Sequence, residues 1–211
     1  SELWGCVLSH NSDDKPRWTT ISQTGILTAQ QESIYQNDKA NGYTSLSKPE
    51  YANAWKANGL GTDLNRNFPS GWEGITARTA ASSEKYRGEK PFSAAETQYL
   101  RDYTLKYAFD ATFSYHASGS LIYYEYGLNE STNNSSKSLA EAVKMVTGYP
   151  LEGSSAVDGA GYKDWAIDAL EIPSLTIEIG CESTPLAKRE LYSIFVRNRS
   201  VLPEVARWVQ D

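Results

Sequence analysis

The chain has 211 residues, of which 40% are hydrophobic and 22% charged, and its net charge is −6. That length and apolar share suit one globular domain, residues 1–211, with a sizeable core. Its Lys and Arg are scattered rather than striped, which speaks against a nucleic-acid binder. No apolar run approaches the roughly 18 residues of a membrane span, and two cysteines are too few for a zinc-finger set.

The chain opens at Ser1-Glu2-Leu3-Trp4, without Met, as expected of a protein that is processed or cut from a longer one. Residues 3–8 form a short apolar run that reads as a buried strand. Residues 9–62 are polar, turn-rich and weakly periodic, with a helical turn at residues 51–55; a loop that long in a compact domain is usually functional. Ser93-Ala94-Ala95-Glu96 has the pattern of a capping box, which predicts a helix to about Tyr107. Strands are expected over residues 110–116 and 121–126, then a polar loop over 129–136. Leu139, Ala142, Val143 and Val146 recur at helical spacing, so residues 138–147 read as a helix ended by Gly148. Gly159-Ala160-Gly161 is a turn, residues 162–170 a short helix and residues 174–179 a buried strand. Thr184 and Pro185 open a last helix toward Val209, with an interruption expected at Pro203. Short apolar strands alternating with helices imply an α/β fold with a mixed, mostly parallel sheet flanked by helices.

Cys6 and Cys181 each end an apolar run and read as buried thiols or, alternatively, as a pair. The 14 Tyr and 6 Trp, with many Asn and Ser, suit an extracellular enzyme acting on polar polymers. Asn129, Asn133, Asn134 and Asn198 each begin an Asn-x-Ser triplet, which carries no meaning in a bacterial protein.

Three residues could carry chemistry. His116, one of two histidines, ends a predicted strand, where open α/β sheets place their sites. It reads either as a metal ligand or as a hydrogen-bonded structural imidazole. Glu178 lies inside Leu175-Thr176-Ile177-Glu178-Ile179. A carboxylate in a buried strand is costly, and burial suits it to a general base; a buried ion pair or an exposed strand face is the alternative. Strict alternation puts Thr176 and Glu178 on one face and Ile177 and Ile179 on the other. Arg66, beside Asn65 on a Gly-flanked loop, presents a planar fork that matches a carboxylate.

Asp63-Leu64-Asn65-Arg66-Asn67, Tyr86-Arg87-Gly88 with Pro91-Phe92-Ser93 and Glu96, Ser114-Tyr115-His116, Gly161-Tyr162-Lys163-Asp164-Trp165 and Ile177-Glu178 stand in one order along the chain. In that order they resemble the zinc carboxypeptidase family, peptidase M14, over nearly the whole chain from about Leu3. Trp55-Lys56-Ala57-Asn58, Gly71-Trp72-Glu73 and the Gly-Tyr-Lys-Asp-Trp block look like variants found in bacterial cell-wall members. The resemblance implies a zinc-carboxypeptidase-like fold and one zinc ion, with His116 as its third ligand. It implies Glu178 as the base for the attacking water and then proton donor to the leaving amine. Asn65 and Arg66 would hold the substrate's terminal carboxylate. The protein is thereby expected outside the cell or in the cell envelope, acting on peptides or peptidoglycan stem peptides.

The family's first two ligands, a His-x-x-Glu pair, are absent from the chain; they are expected upstream of Ser1, and His10 with Asp13 is the one local substitute. The family's oxyanion-stabilising Arg falls at Lys56. Its substrate-capping Tyr falls near Ala156, leaving Tyr162 as replacement. Lys163 falls where the family tunes the pocket for the departing residue, and a Lys there favours a side-chain carboxylate such as that of diaminopimelate. Relatives that cut inside cell-wall peptides often lack the Arg found here at Arg66, so its presence favours a carboxypeptidase over a D-glutamyl endopeptidase. A catalytically inactive peptide-binding member without zinc is the rival from another class.

Overall fold

The computed structural model describes residues 27–153, 159–181, 184 and 186–210. The strand expected at residues 3–8, the substitute ligands His10 and Asp13, Cys6, Ala156 and Pro185 lie outside them. The chain divides into two compact units, Ser1–Tyr103 and Thr104–Asp211.

Among the described residues the first unit has two helices inside the stretch read as a long loop, the second overlapping the helical turn expected at residues 51–55. Helix α1 (Ala29–Ala40) starts on a true capping box: Thr28 Oγ1 accepts from Gln31 N, and Gln31 Oε1 accepts from Thr28 N. Helix α2 (Lys48–Asn53) carries Pro49 in its first turn, where no N–H is needed. Ile34 and Tyr35 of α1 pack with Tyr51 and Trp55. Helix α1 was hard to read because two of its four buried residues, Gln31 and Asp38, are polar.

Helix α3 (Ala95–Tyr107) begins in this unit. Its start is received by other parts of the chain instead of by the predicted Ser93–Glu96 box. Asn67 Oδ1 accepts from Ala94 N at 3.1 Å and Thr97 Oγ1 at 2.7 Å, and Asn58 Nδ2 donates to the Glu96 carboxylate at 3.2 Å.

The second unit is built on a mixed sheet of β1 (Thr112–Ala117), β2 (Leu121–Tyr123), β3 (Leu151–Glu152) and β4 (Ser174–Ile179), in the order β1-β4-β2-β3. β1 runs parallel to β4, β2 antiparallel to β4, and β2 parallel to β3. Ile122, Leu175 and Ile177 form the sheet's share of the core. Leu139, Ala140 and Val143 from α4 (Glu130–Thr147), Tyr149 just after it, and Val201 and Val205 from α7 (Val201–Gln210) pack against them. Each such Val, Leu or Ile side chain contributes about 1.5–3 kcal/mol on burial.

Helix α4 starts two turns earlier than predicted. Asn129 caps it, accepting from Thr132 N at 3.1 Å. Its polar first half is held by tertiary bonds, in which Asn133 Oδ1 accepts from Tyr126 N and Ser136 Oγ from Ser174 N. Gly148, at φ +70°, ends it as expected.

Helix α5 (Tyr162–Leu170) has the predicted bounds, and Asp164 Oδ2 accepts from Gly161 N at its start. The last predicted helix is two, α6 (Leu191–Asn198) and α7. The break falls at Arg199 and Ser200, because Pro203 sits in the first turn of α7. Among the described residues no helix is long and apolar enough to cross a membrane. Cys181 is exposed, against the buried thiol expected there. It lies beyond the end of β4, where Glu190 Oε2 accepts from its N–H at 3.0 Å.

Candidate active site

In the second unit the strand register brings two of the expected residues together. His116 on β1 pairs with Glu178 on parallel β4. Paired residues on neighbouring strands stand about 4.8 Å apart with side chains on the same face. Ile177 points to the opposite face and into the core, as the alternation required. Both His116 and Glu178 are half-buried, and Glu178 Oε2 is itself buried. The imidazole and the carboxylate thus emerge side by side at the C-terminal ends of two parallel strands.

The turn after His116 closes over this end of the sheet. The chain leaves β1, crosses the end of β4 and enters β2, and Leu121 of β2 pairs with Glu178 from the other side. The Ala117–Ser118 peptide bond is cis. Gly119 N donates to Gly180 O at 2.9 Å, and Ser120 Oγ to the same oxygen at 3.0 Å. The approach is close at Gly119, where a Cβ would stand 3.3 Å from Glu178 Cβ.

In the first unit, Asn65 and Arg66 lie in a 3₁₀ turn, Leu64–Arg66, that is locked on both flanks. Asp63 Oδ1 accepts from Asn65 N at 3.1 Å and its Oδ2 from Lys85 N at 2.8 Å, while Asp63 N donates to Tyr86 O at 2.8 Å. Asn67 is fully buried. Its amide donates to Arg87 O, Lys90 O and Ser93 Oγ, and its Oδ1 receives the start of α3. Gly88 (φ +82°) allows this contact, because a Cβ there would fall 2.7 Å from Asn67 Nδ2. With the flanks fixed, Asn65 and Arg66 are left half-exposed, and Arg66 Nη1 donates to Asn65 O at 2.8 Å. The arrangement presents a pre-set guanidinium fork of the kind that grips a carboxylate. Sequence reasoning missed Asp63 and Asn67 as the residues that hold this turn. The one available signal was an Asp two positions before Asn65, the spacing of an Asx-turn.

Lys56 is exposed, and its ammonium lies 3.4 Å from Glu84 Oε2. Lys163 is more committed: its Nζ donates to Glu125 O and to Asp164 Oδ1, each at 2.7 Å, and lies over the Tyr126 ring. Burial raises the Tyr126 pKa, with the nearby Asp164 and Asp168 carboxylates adding to it. The Tyr162 hydroxyl lies 3.1 Å from Thr104 Oγ1 and also bonds Thr112; burial holds its pKa above the ordinary phenol value. Thr112 lies four residues before His116, about 13 Å along the strand, so the structure does not bring the Tyr162 hydroxyl to His116 and Glu178.

Among the described residues no group of three His, Cys, Asp or Glu side chains could hold a metal. His116 is a single imidazole, whereas zinc sites use three or four protein donors. The described residues therefore do not by themselves fit a zinc ion.

The family model for zinc carboxypeptidase, peptidase M14, matches residues 30–208. The chain is 33% identical over 144 residues to γ-D-glutamyl-L-diamino acid endopeptidase 1 of Lysinibacillus sphaericus, covering 67% of this chain and 35% of that protein. It is 25% identical over 130 residues to mast cell carboxypeptidase A of Homo sapiens, covering 52% of this chain and 30% of that protein. Among solved structures it resembles thrombin activatable fibrinolysis inhibitor, with TM-score 0.62 and 22% identity over 74% of this chain and 44% of that one; this likeness concerns the fold. The chain spans less than half the length of each of these three relatives. The family match over most of its length shows that the chain belongs to the zinc carboxypeptidase family, peptidase M14.

Proposed function

We propose that residues 1–211 belong to the catalytic domain of a zinc metallocarboxypeptidase, which removes the C-terminal residue from peptides or peptidoglycan stem peptides, outside a bacterial cell or in its envelope. The observation that carries this reading is the register pairing of His116 with Glu178 at the ends of two parallel strands. Glu178 takes a proton from the attacking water and delivers it to the leaving amine. Arg66 and Asn65 hold the terminal carboxylate, and Lys56 adds positive charge for the developing oxyanion. Among the described residues His116 is the assigned zinc donor, and it belongs to no group of three possible donors there.

Lys163 is assigned to substrate binding in the same reading; Tyr162, whose hydroxyl is taken up by Thr104 and Thr112, is left out of it. The Lys163 ammonium uses two of its three N–H donors on Glu125 O and Asp164 Oδ1, so a departing residue with a side-chain carboxylate would take the third.

A second reading, cleavage at a D-glutamyl bond inside a cell-wall peptide, is favoured by the 33% identity to a γ-D-glutamyl-L-diamino acid endopeptidase. The two readings differ in the need for a free chain end. On L-Ala-γ-D-Glu-L-Lys and its C-terminal amide, the carboxypeptidase reading predicts kcat/KM about 10- to 100-fold higher for the free acid, the worth of one charge-assisted contact. Equal rates on the two would refute it and favour the endopeptidase.

A further inference from the structure

Asp38, in the last turn of α1, is fully buried and has no part in the roles assigned above. A lone carboxylate is prohibitively costly to bury, and this one draws donors to one of its oxygens, Oδ2, while Oδ1 has no hydrogen-bond partner among the described residues. Its Oδ2 accepts from Tyr51 Oη at 2.7 Å, Ser82 Oγ at 2.5 Å and Arg78 Nη1 at 3.1 Å. Arg78 Nη1 also donates to Ser82 Oγ, and Nη2 reaches Glu84 Oε1 at 3.1 Å. The Arg78 side chain is only 12% exposed and lies over the Tyr43 ring. Burial pushes the Tyr51 pKa far up, so its hydroxyl stays a neutral donor.

Two of these donors, Arg78 and Ser82, sit on one strap, residues 78–86, together with Ser83, whose N donates to the same Oδ2 at 3.3 Å. The backbone of that strap meets the two segments that carry assigned residues. Lys56 N and Ala57 N donate to Ser83 O, each at 2.9 Å, and Ser82 N donates to Gly61 O at 3.0 Å. Lys85 N and Tyr86 O bracket Asp63, which starts the Asn65-Arg66 turn. Glu84 joins Arg78 to Lys56. Gly61 (φ +85°) lets this junction close, because a Cβ there would lie 2.9 Å from Ser82 N and Ile34 Cδ1.

We propose that Asp38 is a positioning residue for the carboxylate clamp: by gripping Arg78 and Ser82 it fixes the strap, and the strap sets where Asn65, Arg66 and Lys56 stand. This rests on the reading of Arg66 as the clamp. Misplacement by about 1 Å is enough to weaken such a contact severely. Tyr51 supplies the comparison: it binds the same carboxylate from α2, outside the strap, although its hydroxyl also bonds Ser83.

The test compares wild type with Ser82→Ala, Arg78→Lys and Tyr51→Phe. Calorimetry gives Kd for L-Ala-γ-D-Glu-L-Lys and its C-terminal amide, and thermal melting gives stability. Ser82→Ala and Arg78→Lys are expected to lower the preference for the free acid about tenfold. Tyr51→Phe is expected to lower Tm while keeping the preference. An unchanged preference in Ser82→Ala and Arg78→Lys overturns the inference alone, as does equal loss in all three variants, which would mark a purely structural carboxylate. A wild-type protein indifferent to the terminal carboxylate overturns the clamp reading and this inference with it.

Discussion

Replacing Arg66 by Gln is expected to lower kcat/KM on a free-acid peptide by about 10- to 100-fold and to leave the matching amide within about twofold. The guanidinium sits in a turn locked by Asp63 on one side and Asn67 on the other. Gln preserves a polar side chain of moderate length but lacks both the charge and the fork. Because the clamp contacts the same carboxylate before and during reaction, most of the loss belongs in KM, with kcat nearly unchanged. The bonds of Asp63 and Asn67 that lock the turn do not involve the Arg66 side chain, so the melting temperature should hold. Steady-state kinetics on the acid and amide pair read the effect. Equal losses on both peptides would show that Arg66 acts on the fold or on general binding and not on a terminal carboxylate.

Glu178→Gln has the larger expected effect, a fall in kcat of about 10²- to 10⁴-fold, the range for a general base. The substitution is nearly isosteric, and the half-buried position on β4 next to His116 can take an amide without a change in volume. Peptide affinity is expected to survive, because the residues assigned to gripping the substrate's terminal carboxylate, Asn65 and Arg66, are untouched. Single-turnover hydrolysis with a parallel Kd measurement separates the two. Activity within tenfold of wild type would remove Glu178 from the chemistry; loss of affinity in step with rate would make it a structural carboxylate.

What could be read from the sequence was whatever depended on short-range periodicity. β4 is correct at both ends because Leu175 and Ile177 alternate with Thr176 and Glu178, and a period of two leaves little choice. α5 is correct because Gly161 precedes it and its apolar residues cluster at Trp165, Ala166 and Ile167. The first half of α4 was misread because Asn133 and Ser136 look like loop residues. They are helical because they bond to Tyr126 and Ser174, partners invisible in a local window. α1 was missed for a related reason, since one of its buried positions is the carboxylate Asp38. Its donors lie 40 and 44 positions away, at Arg78 and Ser82.

At the candidate site, residue types and chain order named His116, Glu178, Asn65 and Arg66. The pairing of the first two came from long-range register, which placed Glu178 beside His116, 62 positions earlier in sequence. The state of Lys163 was equally hidden. The chain order read Lys163 as a pocket residue, and nothing local showed that it is held by the carbonyl of Glu125 and by its own neighbour Asp164.

The central claim is that the protein cleaves one residue from the free end of a peptide, and product mapping tests it most directly. Incubation with a stem peptide such as L-Ala-γ-D-Glu-L-Lys-D-Ala, followed by mass spectrometry of the fragments over time, identifies the bond that breaks. The account predicts release of the terminal D-Ala as the first product, with the tripeptide as its partner. A first cut at the γ-D-Glu–L-Lys bond, or no cleavage of the peptide at all, would contradict it.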